Sequence, residues 1–500
     1  MDRGAMNAFL ATLPAAARDA LLALHLIAWA LLAVYGIHRL YLLRLFRRCG
    51  AKPRRPVPPA VWPRVTIQLP VYNERYVAER LLDAAAAMDY PADCLEIQVL
   101  DDSDDATSAL VASRVETLRA RGLDVAHLRR AARDGFKAGA LQNGLLQAKG
   151  DLLAIFDADF VPPPSFLRDL VPYLGEPDVG MVQARWRHLN QDYSVLAQAQ
   201  AISLDGHFVI EHAARMGGGR FFNFNGTAGI LRRECILDAG GWQWDTLTED
   251  LDLSYRAQLR GWRFVFASDV GCPAELPVEM NAFKAQQYRW VRGSIQVARK
   301  LLPSLWRASL PLPVKLEATF HLTVNVAYVL LLVVSVIAYP VVIARFEARS
   351  LFFTVLDTAL FLTASIPALV YFAAAQRATS RDWRRQLRFV PFVLSLGLGL
   401  AVNNTRAVLA GLSGASASAD FQRTPKFRIE RRGDRWRDKR YRPRVSAWAA
   451  AEIVLGLYFA WAMISLARAR LFAPLPFLGL YLIGFLYVGL LSVAHGARRA

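Results

Sequence analysis

The stretch Leu-Leu-Ala-Ile-Phe-Asp-Ala-Asp, residues 152–159, predicts the fold of the central part of the chain. Its first five residues are apolar and predict a buried strand, and Asp157 and Asp159 follow that strand. The same arrangement occurs where Leu-Glu-Ile-Gln-Val-Leu precedes Asp101 and Asp102. In an open α/β sheet, ligands bind outside the carboxyl ends of the strands. Both acidic pairs are therefore expected at a ligand-binding edge.

Alternating strand and helix patterns surround these two stretches. The predicted strands are Val65–Leu69, Leu95–Leu100 and Leu152–Phe156, and the predicted helices are Glu74–Met88 and Lys137–Ala148. This alternation indicates βαβ units and a mainly parallel sheet, so the predicted fold class is α/β.

Six segments are apolar enough and long enough to be candidate membrane helices, which need roughly 20 residues. They are Ala20–Leu43, His321–Ile343, Leu351–Ala375, Val390–Leu412, Val445–Leu466 and Leu471–Val493. They raise the hydrophobic fraction of the 500-residue chain to 54%. The first segment lacks a basic leader and a small-residue cleavage site, so we expect it to be retained rather than removed as a signal peptide.

The formal net charge of +18 is concentrated beside these segments. Basic clusters follow the first, third and fourth segments, at 44–55, 377–388 and 423–444. This is the positive-inside pattern, and it also predicts attraction to anionic lipid headgroups. Membrane lipids are therefore expected partners, and nucleic acid is not. The four cysteines show no metal-ligand spacing and no disulfide framework, which fits a reducing compartment.

The basic clusters also predict the topology. With residues 44–55 inside, the amino terminus lies outside and residues 56–317 lie in the cytoplasm. A full crossing by Val390–Leu412 would place the basic stretch 423–444 outside. That segment also carries an Asn-Asn-Thr-Arg sequence, which is costly at a bilayer centre. We therefore expect it to be interfacial or re-entrant, which leaves five full spans.

Three domains follow from this pattern. They are an N-terminal membrane helix with its basic flank at 1–55, an α/β domain at 56–302, and a C-terminal membrane domain at 303–500 that contains a basic cytoplasmic loop at 413–445.

Two carboxylates that follow one strand can share a divalent cation. Asp157 and Asp159 lie two residues apart, so a turn there can direct both toward Mg²⁺ or Mn²⁺. These ions prefer oxygen ligands and often share them with substrate phosphates. Asp101 and Asp102 could accept hydrogen bonds from a nucleoside or approach its metal. Taken alone, each acidic cluster also fits an ordinary turn or helix N-cap.

A third acidic group, Thr248-Glu249-Asp250, precedes a predicted helix start. Asp250 is the candidate general base, which would take a proton from an acceptor hydroxyl and contribute roughly 10²–10⁴-fold to the rate. A carboxylate with an ordinary pKa of about 4 is expected to be adequate. The alternative is simple helix capping by Thr248 or Glu249.

Gln286, Arg289 and Trp290 recur at i, i+3 and i+4, so one helix face can carry all three. The Arg289 guanidinium could bind pyrophosphate, and the Trp290 ring could stack on a sugar. An amphipathic helix resting on a membrane would show the same pattern. Lys137 is a further phosphate candidate, although a lone lysine at a helix start is more often solvated.

The order of these groups resembles glycosyltransferase family 2, within the cellulose synthase superfamily, and its cellulose-synthase-like A and C branch of β-mannan, glucomannan and β-glucan synthases. Further similar sequences are Lys-Ala-Gly-Ala-Leu at 137–141, Val-Gln-Ala-Arg-Trp at 182–186, Phe-Asn-Phe-Asn-Gly-Thr-Ala-Gly at 222–229 and Gly-Gly-Trp at 240–242. Residues 421–426 also resemble the F-x-x-T-x-K gating loop of that superfamily, with Arg423 where valine is usual.

The resemblance implies a GT-A (Rossmann-like) catalytic domain that faces the cytoplasm and is inserted in an α-helical transmembrane domain. It implies inverting hexosyl transfer with a divalent metal on Asp157 and Asp159. The implied nucleotide-sugar contacts are Asp101, Asp102, Lys137, Gln286, Arg289 and Trp290. The implied acceptor contacts are Trp186, Asn225, Gly226, Glu249 and Trp290, and the implied gating residues are Phe421, Thr424 and Lys426. From the residues alone, Asn225-Gly226 fits a simple turn and Trp186 fits a core position.

The leading hypothesis is a processive, multi-pass polysaccharide synthase of a bacterial-type inner membrane, which couples elongation to export and leaves room for a periplasmic partner. A second hypothesis is a single-transfer glycolipid synthase of the glucosyl-diacylglycerol type. The third is a non-enzymatic membrane transporter or binding protein, which the complete set of expected acidic residues argues against. The motifs do not distinguish mannose from glucose, or GDP from UDP, in the donor.

Overall fold

A seven-stranded sheet forms the centre of the computed structural model, which describes residues 14–50, 56–348, 350–414, 423–441 and 445–497. The strands are β1 Val65–Val71, β2 Leu95–Asp101, β3 Val125–Arg129, β4 Leu152–Ile155, β5 Val179–His188, β6 Gly229–Arg232 and β7 Arg263–Ala274. Their order across the sheet is β3-β2-β1-β4-β6-β5-β7.

The sheet is mainly parallel, as predicted. β1 pairs in parallel with β2 and β4, β2 with β3, and β5 with β7. The exception is β6, which is antiparallel to both of its neighbours, β4 and β5. The chain therefore forms βαβ units up to β4 and departs from that pattern afterwards.

Helices cover the sheet and continue beyond it. In chain order the α-helices are α1 Ala15–Cys49, α2 Ala78–Ala86, α3 Ala106–Ala120, α4 Phe136–Gln147, α5 Phe166–Leu170, α6 Val195–Asp205, α7 Ala213–Gly217, α8 Arg233–Asp238, α9 Glu249–Leu259, α10 Met280–Arg307, α11 Leu312–Thr323, α12 Ala327–Ala348, α13 Leu351–Thr379, α14 Trp383–Gln386, α15 Val390–Gly399, α16 Ala401–Leu412, α17 Ala449–Arg468 and α18 Leu475–Gly496. A π-helical segment, Gly206–His212, joins α6 to α7.

The predicted elements recur with small shifts in their ends. The helix expected from Glu74 begins at Ala78 instead, because residues 74–77 form a turn. The N–H groups of Val77 and Ala78 both donate to the Glu74 carbonyl at 3.0 Å. Asn73, with a φ of 55°, enters this turn in the left-handed region.

Apolar side chains pack on both faces of the sheet. Ile67 and Val99 belong to one buried cluster, and Leu100 and Ile155 belong to another. Successive side chains of a strand point to opposite faces, so a strand covered on both sides needs apolar residues at nearly every position. β4 is such a continuous apolar run, whereas β1 and β2 alternate apolar with buried polar residues. Their polar side chains pair across the two strands, Thr66 with Glu96 at 2.6 Å and Gln68 with Gln98 at 3.0 Å, so these buried side chains have partners inside the protein.

The strand ends place both predicted acidic pairs at one edge. Val71, the last residue of β1, pairs with Asp101, the last residue of β2. Ile155 at the end of β4 pairs with Gln68 of the same central strand. Because β1, β2 and β4 run in parallel, their carboxyl ends meet on the same side of the sheet.

Five helices within the described ranges are long and apolar enough to cross a membrane. They span Ala15–Cys49, Leu312–Arg345, Leu351–Thr379, Ala449–Arg468 and Leu475–Gly496, and they overlap the five predicted full spans. The sixth apolar segment contains α15 and α16, which meet at a bend of 48°. That bend fits a broken span or a re-entrant segment, so its interfacial or re-entrant placement stays a prediction.

The first helix, α1, packs against helices that come much later in the chain and forms polar contacts with them. A Cβ on Gly36 would lie 2.2 Å from the Thr363 carbonyl oxygen of α13, so α1 and α13 are in backbone contact there. His25 Nε2 lies 2.7 Å from Asp357 Oδ1, and His38 Nε2 lies 2.8 Å from Glu317 Oε2.

Candidate active site

Asp101 and Asp102 end β2 among basic side chains of the neighbouring strand and loop. His127 Nε2 lies 2.9 Å from Asp101 Oδ2, and the Ser103 N–H donates to Asp101 Oδ1 at 2.9 Å. Burial opposes ionisation of Asp101, but hydrogen bonds from His127 and nearby serines lower its pKa to about 2. Arg130 Nε donates to Asp102 Oδ1 at 3.0 Å. Both carboxylates thus have partners within the protein, and their role toward a nucleotide stays a prediction.

Asp157 and Asp159 lie just beyond β4, and a lysine ammonium contacts each of them. Lys137 Nζ is 2.5 Å from Asp157 Oδ1. Lys426 Nζ donates to Asp159 Oδ2. The Asp157 side chain is 36% exposed and that of Asp159 is 7% exposed, so Asp157 is the one open to a ligand from solvent.

Lys137, the first-turn lysine of α4, brings three separate segments together. Besides Asp157, its ammonium donates to the Gly226 carbonyl at 2.8 Å and lies 3.9 Å from Glu249 Oε1. Burial alone would lower the pKa of Lys137, but the negative charges of Asp157 and Glu249 raise it, which keeps the ammonium protonated. The strand end, the 222–229 loop and the start of α9 therefore converge on one cation.

Asp250 occupies the first turn of α9, as predicted. Burial and the adjacent charge of Glu249 raise its pKa to about 7, against the opposing effect of Lys137. The candidate base therefore differs from the ordinary carboxylate that the sequence indicates would be adequate. The Asp250 Oδ1 accepts a hydrogen bond from the Leu251 N–H at 2.8 Å. The Thr248 side chain makes no capping hydrogen bond to this helix, so capping by Thr248 is not its role.

The 222–229 loop approaches Asp250 through a glycine. Gly226 has a φ of +76°, and a Cβ there would lie 2.9 Å from Asp250 Oδ2. The Asp157 N–H donates to Thr227 Oγ1 at 2.9 Å, which ties the loop to the end of β4. Asn225 N–H donates to Gln183 Oε1 at 2.9 Å. Gly226 thus begins a bend, and the backbone there closely approaches the candidate base.

Gln286, Arg289 and Trp290 lie half-buried on α10, as their spacing predicted. Burial lowers the pKa of Arg289, while the negative charges of Glu249, Asp157 and Asp250 oppose that lowering. Arg289 therefore faces the same acidic centre as Lys137.

Trp186, near the end of β5, is half-buried between two aromatic rings. Its ring centroid lies 5.1 Å from that of Phe160 and 5.0 Å from that of Phe208. One part of the indole therefore belongs to the core, and contact of the remainder with a glycan stays a prediction.

The described part of the predicted gating loop, residues 423–441, lies against the same edge of the sheet. Arg289 Nη2 donates to Thr424 Oγ1 at 3.4 Å, and the Phe427 N–H donates to Glu275 Oε1 at 2.9 Å. Together with the contact of Lys426 to Asp159, these bonds place Thr424 and Lys426 at the candidate site. Phe421 lies outside the described residues.

Arg423, the residue that departs from the gating-loop pattern, donates to the Tyr72 carbonyl at 3.1 Å. Its guanidinium also lies 4.4 Å from the centroid of the Tyr441 ring. Arg423, which replaces the usual valine, therefore contacts the loop after β1 and stabilises the 423–441 segment against it.

The acidic pair after β4 fits a metal that shares its ligands with substrate. In the part of the chain that the structure describes, no group of three or more His, Cys, Asp or Glu side chains could hold a metal ion. Mg²⁺ commonly binds through one or two carboxylates together with substrate phosphates and water. Asp157 and Asp159 are the two carboxylates available here, each paired with a lysine, and their role as metal ligands stays a prediction.

Sequence reasoning missed several side chains that complete the site. Arg80 Nη1 lies 2.7 Å from Glu430 Oε1, and its Nη2 donates to the Asp159 carbonyl at 3.3 Å. Glu74 is buried, and burial raises its pKa to about 7 despite the nearby charge of Arg423. These residues lie outside the recognised motifs. Their partners come from distant parts of the chain, so no local sequence pattern indicates the contacts.

The mainly parallel sheet, with acidic groups beyond the carboxyl ends of its strands, fits an α/β fold that binds its ligand at that edge. Residues 63–293 match the family described as glycosyltransferase-like family 2. The predicted resemblance to that family is therefore confirmed.

Two plant proteins illustrate the similarity. The chain is 38% identical over 290 residues to glucomannan 4-beta-mannosyltransferase 1 of Oryza sativa subsp. japonica, covering 57% of this chain and 54% of that protein. It is 42% identical over 251 residues to glucomannan 4-beta-mannosyltransferase 2 of Arabidopsis thaliana, covering 49% of this chain and 47% of that protein. The chain thus spans about half the length of these curated relatives. They support the resemblance to the cellulose-synthase-like A branch.

One solved structure shares the fold. The mannosyltransferase PcManGT from Pyrobaculum calidifontis, solved in complex with GDP-Man and Mn²⁺, matches with a TM-score of 0.55 and 24% identity over 78% of this chain and 99% of that one. The predicted GT-A fold, flanked by apolar helices, is confirmed by this match and by the mixed sheet.

Proposed function

We propose that this chain is a hexosyltransferase that moves a sugar, with inversion, from a nucleoside-diphospho-sugar to a β-linked glycan. One observation carries the proposal: the Lys137 ammonium lies 2.5 Å from Asp157, 3.9 Å from Glu249 and 2.8 Å from the Gly226 carbonyl. The carboxylate of Asp157, on the proposed donor side, and the segments of Gly226 and Glu249, on the proposed acceptor side, therefore lie around the Lys137 ammonium. The family match and the mannosyltransferase relatives support an enzyme of this class.

At the donor end, the charges suit a diphosphate. Asp157 and Asp159 would hold a divalent metal, and a bound Mg²⁺ or Mn²⁺ would neutralise the leaving diphosphate. The cations of Lys137 and Arg289 lie at the same centre and would bind the phosphates directly, Arg289 through its planar fork. Lys426 would close over the nucleotide from the opposite side.

At the acceptor end, Asp250 would take the proton from the attacking hydroxyl. Its carboxylate lies beside Gly226, where the absence of a side chain lets the loop backbone come close to it. A pKa of about 7 makes it a stronger base than an ordinary carboxylate and still allows it to ionise near neutral pH. Breaking the anomeric bond releases the nucleoside diphosphate as the glycan hydroxyl forms the new bond.

The proposed donor is GDP-mannose and the proposed linkage is β-1,4. The mannosyl group and the linkage follow from the relatives, which are named as glucomannan 4-beta-mannosyltransferases, and GDP follows from the resemblance to the cellulose-synthase-like A branch. UDP-glucose is the competing donor, because the proposed roles of the site residues involve the phosphates and the acceptor rather than the hydroxyl that distinguishes mannose from glucose.

We further propose that the enzyme is a multi-pass membrane protein with its α/β domain in the cytoplasm, acting processively and coupled to export. Five apolar helices and the basic stretches beside them support membrane insertion with this orientation. The 423–441 segment supports processivity, because closure over the site after each transfer would exclude water.

The test is a donor panel on the purified full-length protein in lipid nanodiscs. Labelled GDP-mannose, GDP-glucose, UDP-glucose and UDP-N-acetylglucosamine are each offered with Mn²⁺ and a short β-1,4-manno-oligosaccharide. We expect transfer from GDP-mannose, loss of transfer with excess chelator, and a product that β-mannanase degrades. Long polymer supports processive synthesis, labelled lipid would favour the glycolipid alternative, and absence of transfer from every donor would overturn the proposed function.

A further inference from the structure

A continuous chain of hydrogen bonds joins the 222–229 loop to an apolar helix. Tyr371 of α13 donates its hydroxyl to Glu211 Oε1 at 2.9 Å. Glu211 Oε2 lies 3.2 Å from His207 Nδ1, and His207 Nε2 lies 3.0 Å from Asn225 Nδ2. On the other side of the same amide, His212 Nε2 lies 2.6 Å from Asn225 Oδ1.

The chemistry of Glu211 determines where each proton lies. Burial opposes ionisation of Glu211, but the charge of Arg215 and the hydrogen bond from His207 hold its pKa well below the usual range, so it is an acceptor only. His207 must therefore carry its proton on Nδ1, which leaves Nε2 as an acceptor for the Asn225 amide N–H. The carbonyl of that amide then faces His212, which must donate from Nε2.

His212 is suited to this fixed role. Burial holds the pKa of His212 well below its usual range, so the ring is neutral with a single N–H. The amide of Asn225 is consequently held at both ends in one orientation. An amide has two N–H groups and two carbonyl lone pairs, so each end keeps one site free. Asn225 is half-buried, so these free sites can face a ligand.

Asn225 directly precedes Gly226, the residue in contact with the candidate base. We propose that His207 is a positioning residue which, held by Glu211 and Tyr371, orients the Asn225 amide to bind a hydroxyl of the acceptor's terminal sugar. This inference rests on the proposed function and deepens it by assigning the acceptor side of the site. It also means that α13 is linked to the acceptor site through hydrogen bonds that begin at Tyr371.

The backbone around His207 is shaped for this contact. His207 lies in the π-helical segment Gly206–His212, a widening of the helix that is frequent at functional sites. A Cβ on Gly206 would lie 2.6 Å from the Tyr371 ring, so only glycine allows α13 to come this close. The approach brings the Tyr371 hydroxyl within reach of Glu211.

The test is a double-mutant cycle measured on acceptor kinetics. His207→Ala, Asn225→Ala and the double variant are compared with wild type for kcat/KM toward the manno-oligosaccharide, nucleotide Kd and melting temperature. We expect each single variant to lose about 10–100-fold in kcat/KM, and the double variant to lose no more than Asn225→Ala alone. Nucleotide Kd should stay within about twofold, a result that a general structural defect would not give. Additive losses, or a His207→Ala variant with wild-type kcat/KM, would overturn the inference.

Tyr371→Phe tests the membrane end of the chain of bonds. It removes only the hydroxyl, and we expect an increase of about three- to tenfold in the KM for acceptor with nucleotide Kd unchanged. Tyr481→Phe in α18 is the matched control, since Tyr481 is buried in an apolar cluster away from the 222–229 loop. An equal effect of both variants, or of neither, would overturn the role of α13. Wild-type transfer is measured first, so a failure of the proposed function appears as an inactive wild type and is distinct from failure of this inference.

Discussion

Asp250 differs from an exposed aspartate because it is buried beside Glu249, and both effects favour its neutral form. Replacing it with asparagine keeps the size of the side chain but removes its basicity. We expect Asp250→Asn to lower kcat by roughly 10²-fold or more while nucleotide Kd stays near the wild-type value. Steady-state kinetics and calorimetric nucleotide titration check this expectation. Wild-type turnover in the variant would remove Asp250 from the role of base.

The pKa of Asp250 also predicts a pH dependence. A general base works only when ionised, and the raised pKa of about 7 means that protonation inactivates it below neutral pH. The pH profile of kcat/KM reports groups of the free enzyme. We therefore expect kcat/KM for the acceptor to rise with pH across the region near 7 and then reach a plateau. A profile that is flat from mildly acidic to mildly basic pH would contradict this assignment.

Gly226 allows the loop backbone to touch the base. Alanine there would be strained at a φ of +76° and would place a Cβ 2.9 Å from Asp250 Oδ2. Gly122 is a matched control, with a φ of +86° and nothing within 4 Å of an added Cβ. We expect both Gly→Ala variants to lose about 1–2 kcal/mol of stability. Only Gly226→Ala should also lose activity, by about tenfold or more, and equal activities in the two variants would contradict the close approach.

At the scale of elements, the 423–441 segment contacts Asp159 through Lys426. Lys426→Met should therefore strengthen Mn²⁺ binding without nucleotide, because a competing cation is gone. It should weaken nucleotide binding in the presence of metal by about tenfold, because a phosphate contact is lost. Manganese and nucleotide titrations measure both effects. Arg431→Met, an exposed change in the same segment, is the control, and parallel behaviour of the two variants would contradict this role.

The helices and strands could largely be predicted from the sequence, whereas the long-range contacts between their residues could not. Strands β1 and β2 alternate apolar and polar residues and β4 is a short apolar run, so periodicity and length were enough to find them. The antiparallel β6 could not be predicted, because its four residues carry no period of their own. The motif residues on α4, α9 and α10 were found by spacing, whereas the contacts of Arg80 and Glu74 depend on a segment more than 300 residues away. Local sequence records secondary structure, but such long-range pairings are set by tertiary packing.

At the scale of the whole molecule, the topology is testable with single cysteines. In a background without the four native cysteines, one cysteine replaces Ser418 and another replaces Asn7, both of which lie outside the described residues. An impermeant maleimide should label Ser418→Cys only in inverted vesicles and Asn7→Cys only in intact spheroplasts. The basic stretch 423–444 favours the cytoplasmic side by about 1 kcal/mol for each Lys or Arg near an anionic leaflet. Labelling of Ser418→Cys from outside would overturn the five-span topology.

The polar contacts of α1 have a consequence for biosynthesis. His38 and His25 pair with carboxylates that are synthesised 279 and 332 residues later. At about 5–20 residues per second, a ribosome needs on the order of half a minute to supply them. During that interval, in the proposed topology, α1 must stay in the bilayer while the imidazoles of His25 and His38 have no carboxylate partners. Its apolar residues, with a mean hydropathy of 2.2 over 18 residues, have to provide that stability. We therefore expect α1 to be less stably inserted in chains that are truncated before α13. In those chains His25 lacks its carboxylate partner and is accessible to membrane quality control.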